Sequence, residues 1–119
     1  MTVKRLQNAY VVTHDMERAV AFYQDALGLP MKFQDGAKWA QFDAGGSNFA
    51  VSSPEEAAEG AMGAVLIFEV DSIADASLTI EKNGGEVLGS RDMGDHGRVL
   101  TFRDPDGNLV QLFQRAGST

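Results

Sequence analysis

The stretch that decides the fold is Thr101–Gln114, TFRDPDGNLVQLFQ. Two strand-like runs flank the segment DPDGN, in which Pro presets φ and Gly accepts a positive φ, as a tight reversal requires. The stretch therefore predicts a β-hairpin whose exit strand is Leu109–Phe113. Gln111 lies in the middle of that strand. A neutral amide there can orient a ligand, but it is a poor ligand for a transition metal.

The hairpin has a counterpart in the first half of the chain, within FDAGGSNFAV. Asp43 and Gly46 match Asp104 and Gly107, which lie 61 residues later. The seven-residue spacing from Asn8 to Asp15 also matches the spacing from Val65 to Ser72. Repeated spacing of this kind indicates an internal duplication. The sequence thus predicts two equivalent modules, residues 5–53 and 62–114, with a linker at 54–61.

Hydrophobic periodicity gives each module the order strand, helix and three strands. Asp15 is predicted to cap the first helix, which Gly28 terminates, and Ser72 to cap the second, which Gly84 and Gly85 terminate. The predicted strands are Ala9–Thr13, Met31–Gln34, Lys38–Phe42, Asn48–Ser52, Ala64–Val70, Glu86–Ser90, Val99–Phe102 and Leu109–Phe113. The expected fold is α+β, a single domain over 1–119. Its tandem βαβββ modules form a curved, cup-like mixed sheet with the helices on the outer face.

The bulk composition restricts the function. The chain has 119 residues, 44% of them hydrophobic and 23% charged, as expected of one globular domain. Without cysteine there is no disulfide framework and no thiolate zinc site, so a cytoplasmic location is expected. No run approaches the roughly 18 apolar residues of a membrane span. The net charge of −7 argues against nucleic acid and anionic membranes as partners.

The chain resembles the vicinal oxygen chelate superfamily, which includes glyoxalases, extradiol dioxygenases and bleomycin-resistance proteins. The resemblance covers about residues 5–114. It is carried by VTHDMERAVAFYQDALGL in the first module and by FEVDSIADASLTIEKNGGEV and FRDPDGNLVQL in the second. The resemblance implies the fold but no single function, because this scaffold hosts many chemistries.

The resemblance also implies where a metal would be held. Family enzymes typically hold one divalent metal with His or Glu side chains from the first and last strands of both modules. Those positions fall on Asn8, Ala50, Val65 and Gln111. None is a histidine or a carboxylate, and two amides beside Ala and Val make a poor transition-metal site. We therefore expect the protein to hold no metal and no other cofactor. The alternative is that it holds a divalent metal.

The sheet face turned away from the helices is predicted to be mostly apolar with a few polar groups, as in a small-molecule pocket. Trp39 could stack on a planar ligand or serve only in packing. His96, a weak catalytic candidate, and Arg98, which could bind a ligand carboxylate or a nearby Asp, are predicted at the rim. The candidate ligand-binding residues are Asn8, Tyr10, Trp39, Ala50, Val65, Ile67, Glu69, His96, Arg98, Gln111 and Phe113.

These observations predict a metal-free, small-molecule-binding homodimer that captures a partly apolar or aromatic ligand. By resemblance, drug-sequestering bleomycin-resistance proteins are the nearest functional model. One alternative is a metal-dependent lyase, isomerase or dioxygenase with atypical ligands such as Glu69, Gln111 and His96. Another is a non-catalytic, partner-binding module. The sequence does not choose between modules paired within a chain and modules exchanged between chains.

Overall fold

A computed structural model describes residues 2, 4–62 and 64–117. The elements are β1 (Ala9–Val12), α1 (Met16–Asp25), β2 (Met31–Asp35), β3 (Trp39–Asp43), β4 (Asn48–Ser52), β5 (Leu66–Glu69), α2 (Ala76–Lys82), β6 (Glu86–Asp92), a 3-10 turn (Gly94–His96), β7 (Arg98–Arg103) and β8 (Leu109–Gln114). The chain divides into two compact units, Met1–Met62 and Gly63–Thr119, here the first and second unit. Neither helix of the described residues is long and apolar enough to cross a membrane.

Each unit contains a mixed four-stranded sheet and one α-helix. The strand order is β1-β4-β3-β2 in the first unit and β5-β8-β7-β6 in the second. The first and last strands of each unit pair in parallel, and the remaining pairs are antiparallel. This topology confirms the predicted α+β class and the repeated βαβββ order.

Helix α1 begins where the sequence predicts. The Asp15 side chain accepts a hydrogen bond from the backbone N–H of Arg18, and Asp15 itself has the extended backbone of an N-cap. The buried face of the helix consists of Met16, Ala19, Phe22 and Tyr23. That face packs against β3 and β4.

Aromatic rings dominate the core of the first unit. The Tyr23 ring lies 4.7 Å from the Phe49 ring and 6.3 Å from the Phe42 ring, measured between centroids. Phe22 contacts Tyr23 edge to face, with centroids 5.2 Å apart. All four side chains are almost completely buried. Each buried ring stabilises the fold by about 1.5 to 3 kcal/mol, so this cluster fixes α1 on its sheet.

Helix α2 starts later than predicted. Ser72 was expected to cap it, but the Ser72 hydroxyl accepts from the Ala74 N–H, and the helix begins at Ala76. The backbone N–H of Ile73 donates instead to the Gln114 side chain at 2.9 Å, which holds this segment in a turn. The predicted end is correct, since Gly84 has a φ of +95° and the Gly85 N–H bonds to the Ile80 carbonyl.

The β7–β8 hairpin is organised around the Asp104 carboxylate, which is only 4% exposed. One oxygen accepts from the backbone N–H groups of Asp106 and Asn108, both at 2.9 Å, and the other accepts from the Asn108 amide at 2.8 Å. Gly107 completes the turn with a φ of +87°. In the corresponding turn of the first unit, Asp43 accepts from the Gly45 N–H at 3.0 Å.

Replacing Asp104 with alanine is expected to lower the free energy of unfolding by about 2 to 3 kcal/mol, because two part-buried N–H donors lose their acceptor. Urea denaturation followed by circular dichroism measures the change. The control is Asp95→Ala, which removes an exposed carboxylate from the 3-10 turn and should shift stability by less than about 0.5 kcal/mol. Equal effects of the two substitutions would contradict the role assigned to Asp104.

Candidate functional site

The first unit presents a row of side chains on the sheet face opposite α1. Strand register aligns Phe33, Gln41, Ala50 and Tyr10 across β2, β3, β4 and β1. Trp39 lies on the same face, since it is two residues from Gln41 on β3. The sequence placed Tyr10 and Ala50 on this face, and the register does the same.

Three of these side chains, Tyr10, Trp39 and Gln41, form a connected group, here called the aromatic–amide group. The Tyr10 and Trp39 ring centroids are 5.4 Å apart, with the rings tilted by 57°. The Trp39 indole N–H donates to the Gln41 Oε1 at 3.0 Å. Gln41 was missed as a candidate, although strand alternation from Trp39 would have placed it on this face.

The segment predicted as a linker, 54–61, is attached to this group. The backbone N–H of Ala58 donates to the Tyr10 hydroxyl at 2.9 Å. At the start of the segment, the Ser53 N–H donates to the Lys38 carbonyl and the Ala57 N–H to the Ser53 carbonyl. The Tyr10 ring is therefore held at one end by its strand and at the other by a loop.

Exposure differs sharply along this face. Phe33 is 51% exposed, whereas Gln41 is 9% exposed and Ala50 is completely buried. Tyr10, Trp39 and Asn8, the last just before β1, are half-buried. Of the candidates in the first unit, the two aromatic side chains combine accessibility with fixed contacts.

The corresponding face of the second unit is apolar and open. Register aligns Ile67 with Gln111 and Thr101 across β5, β8 and β7. The Gln111 amide donates to the Thr101 hydroxyl at 3.0 Å, so Gln111 is tied to its own sheet. Val65, Ile67 and Leu109 are exposed by 43%, 62% and 37%, respectively.

Two further candidates lie towards the end of β5 and β8. Glu69 forms an exposed ion pair with Arg115, with a separation of 3.4 Å between carboxylate oxygen and guanidinium nitrogen. Exposed pairs of this kind contribute little to stability. Phe113 is half-buried and aligned with Glu69 and Val99.

Arg98 lies away from the Gln111 face, contrary to its predicted place on the rim. In β7 it alternates with Val99, and it shares a row with Asp92 and Gln114 at the end of the sheet. This row borders a polar cavity of about 560 Å³, and the Arg98 guanidinium is 3.6 Å from the Asp92 carboxylate. His96 is exposed in the adjacent 3-10 turn. The cavity is lined by Ser72, Ala74, Asp92, Gly94, Gly97, Arg98, Gln114, Arg115, Ala116 and Gly117.

A family model described as the Glyoxalase/Bleomycin resistance protein/Dioxygenase superfamily matches residues 5–112. The chain belongs to this superfamily. An uncharacterized protein of Mycolicibacterium smegmatis is 30% identical over 100 residues, covering 82% of this chain and 84% of that protein. The match confirms the family resemblance found in the sequence.

Solved structures of the superfamily share the fold. A lactoylglutathione lyase from Agrobacterium tumefaciens has a TM-score of 0.75 at 20% identity, with 96% of each chain covered. A fosfomycin resistance protein from Listeria monocytogenes, crystallised with Mn(II) and a dihydroxypropylphosphonic acid, has a TM-score of 0.77 at 18% identity, covering 98% of this chain and 94% of that one. At these identities the likeness establishes architecture alone.

The donor set of this superfamily member does not fit a divalent transition metal. Ala50 and Val65 have no side-chain donor atom, and the amide oxygens of Asn8 and Gln111 are poor ligands for a transition metal. Among the residues that the structure describes, no group of three or more His, Cys, Asp or Glu side chains could hold a metal ion. The four positions to which the resemblance assigns metal ligands therefore carry no carboxylate or imidazole, the usual ligands.

Gly97 is expected to be essential for the wall of the polar cavity. Its φ is +92°, and a Cβ atom at this position would lie 2.4 Å from the Gln114 carbonyl oxygen and 2.8 Å from the Phe113 ring. Gly97→Ala should therefore lower the free energy of unfolding by at least about 2 kcal/mol. Thermal and urea denaturation test this value. The matched control is Gly89→Ala on β6, where a Cβ meets nothing within 4 Å. A similar loss at both glycines would refute the steric argument.

Proposed function

We propose that this superfamily member is a metal-free protein that binds a partly apolar or aromatic small molecule. The observation that carries the proposal is the aromatic–amide group on the face of the first unit opposite α1. Tyr10 and Trp39 supply ring surface there, and Gln41 supplies a polar group fixed by the Trp39 indole. Apolar surface with a few oriented polar groups is the usual composition of a small-molecule site.

The chemistry of the row favours capture over catalysis. Phe33, Gln41, Ala50 and Tyr10 include no imidazole, thiol or carboxylate to act as an acid, base or nucleophile near neutral pH. Binding needs only complementary surface and paired polar groups, whereas catalysis requires groups that stabilise a transition state. Capture of an intact molecule is therefore the function that these side chains support best.

Sequestration of an antibiotic is the form of capture that we propose. A structural neighbour from Albidiferax ferrireducens is described as a glyoxalase/bleomycin resistance protein. A homodimeric state and a cytoplasmic location belong to the same proposal. The chain has no thiol, and its described residues contain no group of three or more His, Cys, Asp or Glu side chains that could hold a metal ion, so in this proposal the ligand is held by contact alone.

Quinoline, a planar aromatic probe, is expected to bind on the face that carries Trp39. Trp39 is the sole tryptophan, so it gives a single indole N–H signal in a two-dimensional nitrogen–proton NMR spectrum. That signal should shift on titration. Trp39→Leu should weaken binding about tenfold, because stacking surface is lost. In this variant, binding is measured from the backbone signals of β1 and β3.

Leu78→Ala serves as the control for nonspecific adhesion, because it removes a side chain that is 72% exposed on α2. Its affinity should equal that of the wild type. Excess EDTA should also leave the quinoline affinity unchanged. A stoichiometric, chelation-resistant metal in the purified protein, or loss of binding with EDTA, would establish the metal-dependent alternative instead. No shift at any quinoline concentration would favour a partner-binding module.

A further inference from the structure

We infer that Gln41 selects the ligand, and that the ligand is a neutral planar molecule carrying a hydrogen-bond acceptor such as a carbonyl oxygen or a ring nitrogen. The inference rests on the proposed function and names the class of molecule that the aromatic–amide group recognises. It depends on the orientation, burial and surroundings of one side-chain amide.

The orientation of the Gln41 amide follows from the chemistry of its neighbour. An indole N–H can donate a hydrogen bond but cannot accept one. The Gln41 atom 3.0 Å from Trp39 Nε1 must therefore be the oxygen, which removes the usual ambiguity between the two ends of a glutamine amide. The Nε2 group, with two N–H donors, is directed away from the indole.

The Nε2 donors have no acceptor among the residues that the structure describes. Within the described part of the chain, the bond from Trp39 is the sole hydrogen bond of the Gln41 side chain. Gln41 is only 9% exposed, but no described side-chain nitrogen or oxygen is both sealed from solvent and unpaired, so Nε2 keeps some contact with water. A ligand that displaced this water without accepting a hydrogen bond would leave a donor unpaired, which is unfavourable.

The side chains around Gln41 define the surroundings of a ligand acceptor that bonds to Nε2. Trp39 and Tyr10 lie on one side, with ring centroids 5.4 Å apart, and Phe33 lies beside Gln41 in the strand register. Phe33 is 51% exposed, so its ring surface is accessible beside Gln41. A flat ring lying on these aromatic side chains would bring an acceptor at its edge to Nε2.

Charge on the same face disfavours an anionic acceptor. Asp35 is the register partner of Trp39, and its carboxylate would repel a ligand carboxylate. Lys32, a cation on the neighbouring strand β2, donates to the Asn48 side chain at 2.9 Å. A neutral carbonyl or ring nitrogen therefore fits Gln41 better than a carboxylate does.

Three bicyclic probes separate the chemistry of recognition. Quinoline has a ring-nitrogen acceptor, naphthalene has neither donor nor acceptor, and indole has a donor only. Binding of a ligand that cannot accept leaves Nε2 unpaired, so naphthalene and indole should bind about tenfold more weakly than quinoline. Dissociation constants come from the NMR titration, and the Gln41 side-chain amide signals should shift only with quinoline.

Gln41→Glu tests the role of the donor while preserving the acceptor for the Trp39 indole. At about pH 8, where a glutamate side chain is ionised, the variant should bind quinoline about tenfold more weakly and indole no more weakly than the wild type. Gln24→Glu, an exposed substitution on α1 with the same change in charge, is the matched control. Its three affinities should equal those of the wild type.

The outcomes distinguish this inference from the function on which it rests. If the wild type binds quinoline and naphthalene within a factor of about two, selection by Gln41 is excluded although aromatic capture stands. If none of the probes shifts the Trp39 signal, the proposed function fails, and the inference fails with it. Should Gln41→Glu not fold, the wild-type comparison of quinoline with naphthalene still decides the question.

Discussion

The parallel pairing of the first and last strands in each unit is the constraint on which the rest of the structure depends. Parallel neighbours require a crossover connection, and in both units that crossover includes the helix. The helix then covers one face of the sheet, so the opposite face is left for function. In the first unit this pairing brings Tyr10 beside Ala50, and the antiparallel strand β3 adds Gln41 to the same row.

The two units share a topology but have diverged on that opposite face. On that face, each sheet has one glutamine in its central pair of strands, Gln41 on β3 and Gln111 on β8, since Gln114 alternates to the other face. Gln41 accepts from an indole and keeps its donors, whereas Gln111 uses its amide to bond Thr101. The two units thus have the same strand order, and in the first unit the amide is combined with aromatic rings.

Local chemistry explains which parts of the fold could be predicted from the sequence. Turn residues and the Asp15 cap act over a few positions, so the order of the elements and the start of α1 followed from spacing. The start of α2 did not, because a bond from Ile73 to Gln114, 41 residues away, competes with the Ser72 cap. In the site, Ala50 was a candidate because the resemblance implies a metal ligand at its position. Gln41 lies at no such position, so the sequence did not single it out.

The hydrogen bond between Ala58 and the Tyr10 hydroxyl has an evolutionary consequence. Tyr10 contributes both to the proposed ligand surface and to the attachment of the segment that leads out of the first unit. A change to phenylalanine would make the surface more apolar but would release the loop. A substitution of Tyr10 that suits a new ligand would therefore also change how the loop leading out of the first unit is held. Phe33 is freer to vary, because its side chain can form no hydrogen bond.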